Sequence, residues 1–246
     1  MNWLKGKEQM DNWSLRNFRQ DLSKFLELIR DYQIGDFDSL YSLQGKIDSL
    51  DSFKYEIKDI VFNLNKRISG TMPETLNKYK ISLANTISLV NKDYTKNDIV
   101  DKDYLFELNI DSFVSTGESD SKPYKNCWHL DKHIDSSEPK YTHPTYHFHF
   151  GGDYLEGLDT GDISIFSSPR LPHPPMDFFL GFHFIISNFY SARDFPFVNE
   201  LKEKYEYRQI IRRAQERLWT PYFKAFDSAN THQDFTINKI FPLYLD

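Results

Sequence analysis

The chain has 246 residues, 39% hydrophobic and 16% aromatic, with 21 Phe and 15 Tyr, which supports a large core and excludes global disorder. A formal net charge of -6 removes any overall electrostatic pull on nucleic acid. The single cysteine, Cys127, excludes an intrachain disulfide and favours a reducing compartment.

The N-terminus, Met1-Asn2-Trp3-Leu4-Lys5, turns charged without the apolar core of a signal peptide. Leu15, Phe18, Leu22, Phe25, Leu26 and Ile29 then recur at helical spacing until Gly35 interrupts them. A second helix is expected over 50–67, carrying Phe53, Ile57, Ile60, Val61 and Leu64. A third should start at Thr71-Met72-Pro73-Glu74, where Thr71 can cap and Pro73 suits the first turn, and should carry Leu76, Tyr79, Ile81, Leu83, Ile87 and Val90.

The charged run 91–103 marks a seam. Beyond it, 104–108 and 112–114 read as strand, and 126–134 and 143–150 alternate residue type with period two. Another strand is expected over 162–168. Residues 135–142 and the glycine-rich 151–161 read as loops. The apolar stretch 178–192 is too short to span a bilayer and reads as a buried helix, followed by an amphipathic helix over 198–219. The expected fold class is α+β: an N-terminal helical region (1–95), then an α+β histidine-rich domain (96–246) with a central antiparallel sheet, the two either distinct or one compact unit. A cytoplasmic protein without a membrane span is expected.

Seven of the eight histidines fall between 129 and 183. Alternation puts His129, Asp131 and His133 on one strand face and Trp128, Leu130 and Ile134 on the other. In the next strand His143, His147 and His149 share a face, opposite Tyr146, Phe148 and Phe150. If the two strands form a hairpin, the imidazole faces lie side by side, with cross-strand neighbours about 4.5–5.5 Å apart. Such a surface suits acid/base catalysis by His147 and His149, or a divalent transition metal held by neutral imidazoles of His129, His133 and His143 with Asp131. The alternative is a set of solvent-facing or backbone-tied histidines, and no His-Glu-x-x-His or paired-Cys spacing is present.

Two further features bear on function. Pro169-Arg170-Leu171-Pro172-His173-Pro174-Pro175 places Arg170 and His173 on a stiff connector, where the guanidinium can meet a phosphate or carboxylate. A structural connector with Arg170 paired to Asp177 is the competing view. In the last helix Arg208, Arg212, Arg213 and Arg217 give a basic strip for phosphates, diluted by Glu200, Glu203, Glu206 and Glu216. His183, inside the apolar helix, reads as a satisfied core histidine. Cys127 shares a face with His129 but has no third partner for a thiol nucleophile.

The block His143-Pro144-x-Tyr146-His147-x-His149-x-Gly151-Gly152, followed by Pro169-Arg170-x-Pro172, resembles uncharacterised bacterial proteins of toxin–antitoxin and mobile defence loci. The match comprises Trp128, Asp131, His143, Pro144, His147 and His149, spread over about a tenth of the chain. The resemblance implies an effector role, with RNA as a candidate target. The sequence thus points to a histidine-dependent hydrolase or nuclease acting on a phosphodiester. Its rival is a non-catalytic binding protein such as an antitoxin, inhibitor or accessory subunit, and a metal-responsive sensor is a third option.

Overall fold

The computed structural model describes residues 14–47, 52–114, 123–133, 142–159, 169–227 and 235–244. Helix α1 (Leu15–Ile29) starts at Ser14, whose hydroxyl accepts from Asn17 N, and its apolar stripe is buried. A short strand β1 (Gly35–Asp36) and helix α2 (Asp38–Lys46) follow. Strands β2 (Ser52–Leu64), β3 (Leu76–Val90), β4 (Val100–Val114), β5 (Tyr124–Lys132), β6 (Tyr146–Phe150) and β7 (Leu171–Pro172) complete an antiparallel meander in sequential order β1 to β7. A 3-10 turn (Asp153–Leu155) follows β6, and helices α3 (Phe178–Asn188), α4 (Phe197–Glu203), α5 (Tyr205–Lys224) and α6 (Ile237–Ile240) close the described chain. The fold class is α+β, and no helix among the described residues is long and apolar enough to cross a membrane.

The helices expected over 50–67 and 71–90 are the two longest-range errors of the sequence reading: both segments are strands. In β2, Phe53, Tyr55 and Ile57 point inward, and a bulge at Asp59 (φ 59°) then shifts the alternation, so that Ile60, Phe62 and Leu64 point inward. That slip converts a period-two pattern into one with helical spacing. In β3, Tyr79, Ile81, Leu83, Ile87 and Leu89 are buried on one face, and a buried polar residue, Asn85, breaks the apolar series. Its side chain is satisfied by the Tyr55 hydroxyl (2.7 Å) and by Leu105 O (2.9 Å). The expected helix start at Thr71–Glu74 lies in the β2–β3 connection.

The expected seam at 91–103 is a connection within the sheet, since β4 pairs with β3 from Val100 to Val114. The expected strand over 162–168 lies outside the described residues. The helix expected over 198–219 is two helices, α4 and α5, divided by the extended backbone of Lys204.

One face of the sheet carries the core. Phe18 of α1 packs against Phe53 (5.6 Å between centroids), Phe178 (5.8 Å) and Phe179 (5.4 Å), and Phe25 meets Phe182 at 4.9 Å. Helix α3 presses so closely on the sheet that a Cβ on Gly181 would come 2.6 Å from the Phe106 ring and 2.9 Å from a Leu83 methyl. Two ion pairs tie the helices together. Asp177 caps α3 by accepting from Leu180 N and takes the Arg217 guanidinium of α5 at 2.6 Å, with both side chains buried. Arg213 pairs with Asp21 of α1 through both its Nε and its Nη2.

Removing one partner from a buried pair leaves an uncompensated charge. Arg217→Ala should therefore lower unfolding free energy by about 3–5 kcal/mol, whereas exposed Arg208→Ala should stay within about 0.5 kcal/mol of the parent. Urea denaturation of both variants measures the contrast, and equal small effects would contradict the structural role of Arg217.

Candidate metal centre and imidazole row

Strands β5 and β6 are adjacent and antiparallel, with His129 opposite His149 and Asp131 opposite His147. The two polar faces therefore merge, as the alternation predicts. Ring centroids follow one another along this surface: His129–His149 at 5.4 Å, His149–His147 at 5.5 Å, His147–His143 at 4.4 Å and His143–His133 at 4.2 Å. Five imidazoles thus form a continuous row.

Carboxylates bracket one end. Asp131 Oδ2 lies 3.6 Å from His149 Nε2, and Glu107 Oε2 lies 3.4 Å from His129 Nδ1. The potential donor atoms of His129, Asp131 and His149 all lie within 4.8 Å of one another, as do those of Glu107, Cys127 and His129. Two donors about 2.1 Å from a tetrahedral ion sit roughly 3.4 Å apart, close to the Asp131–His149 separation. Two imidazoles and one carboxylate make a ligand set used by zinc hydrolases and by non-haem iron centres. The second group is less suited to a metal: burial pushes the Cys127 thiol up to about 12, and a thiol ligates as thiolate.

Protonation is governed mainly by burial. It lowers His143 to about 4 and His147 to about 3, with neighbouring imidazoles and Arg170 adding to the effect. Burial also lowers His149 and raises Asp131, against the attraction between the two. His147 Nδ1 faces the Pro144 carbonyl oxygen at 3.1 Å. A carbonyl only accepts, so Nδ1 carries the proton and Nε2 keeps its lone pair. These imidazoles are suited to ligation as neutral donors rather than to acting as cationic acids.

Arg170 joins this face. Continuing the β6–β7 register from Phe148↔Leu171 brings Arg170 level with His149, and its charge acts on Asp131, His143, His147 and His149. Its Nε and the Nδ1 of His149 are buried without a hydrogen-bond partner among the described residues. Ser39 Oγ, Asn109 Oδ1, Asn126 Oδ1 and Arg217 Nε share that state, so it is the position beside the donor cluster that marks these two atoms as able to meet a ligand.

Other expected site residues fall elsewhere. His173 follows β7 on the opposite face: its ring packs edge-on against Phe148 (5.2 Å) and its Nδ1 donates to Pro174 O (2.6 Å), so it does not act with Arg170. Asp177 is taken by Arg217, not by Arg170. The basic strip does not exist as one surface, because Arg213 and Arg217 are engaged by Asp21 and Asp177, leaving only Arg208 and Arg212 of the four exposed. Ile134 lies outside the described residues.

Two site residues escaped the sequence reading. Glu107 sits opposite His129 in the β4–β5 register and accepts from Asn109 Nδ2; period-two alternation over 105–111 gives its face, but only the register gives its partner. Gly152 (φ +109°) is needed beside His129, because a Cβ there would come 2.3 Å from Nε2.

Comparison with family models, curated proteins and solved structures finds no match to this chain.

His183 behaves as the sequence suggests: its Nδ1 lies 3.0 Å from the Tyr207 hydroxyl, and burial lowers it to about 4. Its folded pKa lies below the unfolded value of about 6.5, so the unfolded state binds the proton more readily. The resulting stability is complete above pH 6.5 and is lost as pH falls toward 4. Compared with His183→Gln, the parent should lose more stability between pH 7 and pH 4.5 in urea titrations; parallel losses would refute the assignment.

Proposed function

We propose that this chain is a metal-dependent phosphodiester hydrolase, with His129, Asp131 and His149 holding a divalent transition metal ion and Arg170 receiving the phosphate. The observation that carries this reading is the meeting of three donor groups with two buried, unpartnered polar atoms, His149 Nδ1 and Arg170 Nε, on one sheet face. A bound divalent ion would supply Lewis-acid polarisation of the phosphoryl group and a water that ionises near neutral pH.

The chain's own residues do the rest. Glu107 on His129 Nδ1 would orient that ring, the role a carboxylate beside a ligating histidine commonly plays, and Nε2, 3.0 Å from the Cys127 sulfur, would exchange that contact for the ion. Arg170 offers a planar fork to a phosphate and has no carboxylate ion-pair partner within salt-bridge distance among the described residues, Asp131 acting on it only at longer range. His147, neutral and with Nε2 unprotonated, offers a lone pair on the same face as a hydrogen-bond acceptor. RNA is the first substrate to assay, and the motif's resemblance to defence-locus proteins suggests an effector role.

Elemental analysis of untagged protein should find near-stoichiometric transition metal in the parent and in His133→Ala, and loss of it in Asp131→Ala and His149→Ala. Cleavage of RNA by the parent should stop with a chelator and return with metal. Metal-free parent protein, or metal retained in both Asp131 and His149 variants, would reject the centre. Metal binding without phosphodiester cleavage would favour the sensor instead.

A further inference from the structure

At the far end of the imidazole row a cavity of about 300 Å³ opens between the first residues of β4, the ends of β3 and β5, and α6. Lys92, Lys102, Lys132, Lys239, His133 and His143 line it. The chain as a whole is acidic, with a net charge of -6, so a pocket holding four lysines reverses the prevailing sign.

The acids there do not cancel it. Asp98 is buried and already committed: it accepts from Lys132 Nζ (3.0 Å), the Tyr146 hydroxyl (2.8 Å) and Val100 N (3.0 Å). Lys132 is turned inward by the same bond and by Val100 O at 2.8 Å. Asp101 is the one further carboxylate in the lining, and neither Lys92 nor Lys102 has an ion-pair partner among the described residues. Both lysines are exposed and can turn their ammonium groups over the opening.

We infer that this pocket binds the terminal phosphate of a nucleic-acid strand, so that the strand runs along the imidazole row toward Asp131 and His149. Lys92 and Lys102 supply the charge, and His133 and His143 supply the edge shared by pocket and row. A terminal phosphate carries more charge than an internal one and presents three acceptor oxygens, which several N–H donors can share. The direction of the strand rests on the proposed hydrolase function. Phosphate capture itself does not, because the pocket shares no residue with the His129–Asp131–His149 cluster.

The test uses full-length protein treated with chelator, a short single-stranded RNA with a 5′-phosphate, and the same RNA with a 5′-hydroxyl. Calorimetry at low salt should show the phosphorylated strand binding about tenfold tighter. Lys92→Glu/Lys102→Glu should abolish that difference while leaving the far-ultraviolet spectrum unchanged, and Asp131→Ala should preserve it. The preference should shrink as salt rises, as charge-driven capture requires. Equal affinity for the two strands, or a preference that survives the double lysine reversal, would overturn the inference. Preference without metal binding would uphold the pocket and remove the hydrolase; metal-dependent cleavage without preference would do the reverse.

Discussion

The arrangement depends on the register of β5 against β6. With side chains alternating across a strand, slipping this pair by one residue would send His147 and His149 into the core and expose Phe148. The core side prevents that slip. Leu130 and Phe148 are directly opposed, Trp128 packs on Phe150 at 5.4 Å, and Phe106 of β4 meets Phe148 at 6.3 Å. At the strand end the Tyr146 hydroxyl and Lys132 Nζ share the Asp98 carboxylate. Hydrophobic packing on one face thereby aligns the imidazoles on the other, without any contact on the polar face having to do so.

Arg170 reaches this face by a different constraint. Two residues of β7 pair with β6, and the connector beyond them is pinned to the helical layer. Trp219 Nε1 donates to Pro175 O at 3.0 Å, while the Tyr104 hydroxyl donates to Met176 O and accepts from Met176 N. Asp177 then enters the buried pair with Arg217. The prolines limit the backbone between these anchors, so the segment delivers Arg170 to one side of the sheet and turns His173 to the other. Helix α5 thus supports the polar face from behind the core, and its inward arginines serve that support rather than a ligand.

Much of the site was legible because it is local. Period-two alternation of 127–133 and 146–150 assigned each imidazole to a face, and the density of histidines picked out the strands that carry the imidazole row. The long-range half was not legible. Nothing in 104–114 read alone says that Glu107 will face His129, since that needs the β4–β5 register. The sheet itself was half missed: the bulge at Asp59 disguised β2 as a helix, and Asn85 interrupted the apolar series of β3. The arginine strip failed for a related reason, because helical spacing says which residues share a side but not whether that side meets solvent or an aspartate.

Strand β5 carries two consecutive charged residues whose surroundings differ in kind. Lys132 points to the core side and is fully matched, with Asp98 and Val100 O as acceptors. Asp131 points to the imidazole side, where burial raises its carboxyl and its closest imidazole stands 3.6 Å away, too far for a hydrogen bond. One residue further across the sheet, His149 Nδ1 and Arg170 Nε are buried without partners. Leaving such groups unmatched costs about 1–3 kcal/mol each. Among the described residues Ser39 Oγ, Asn109 Oδ1, Asn126 Oδ1 and Arg217 Nε are unmatched as well, and what sets His149 Nδ1 and Arg170 Nε apart is their place on the face where donors converge. A ligand that coordinates with Asp131 and His149 and accepts from Arg170 would relieve that cost.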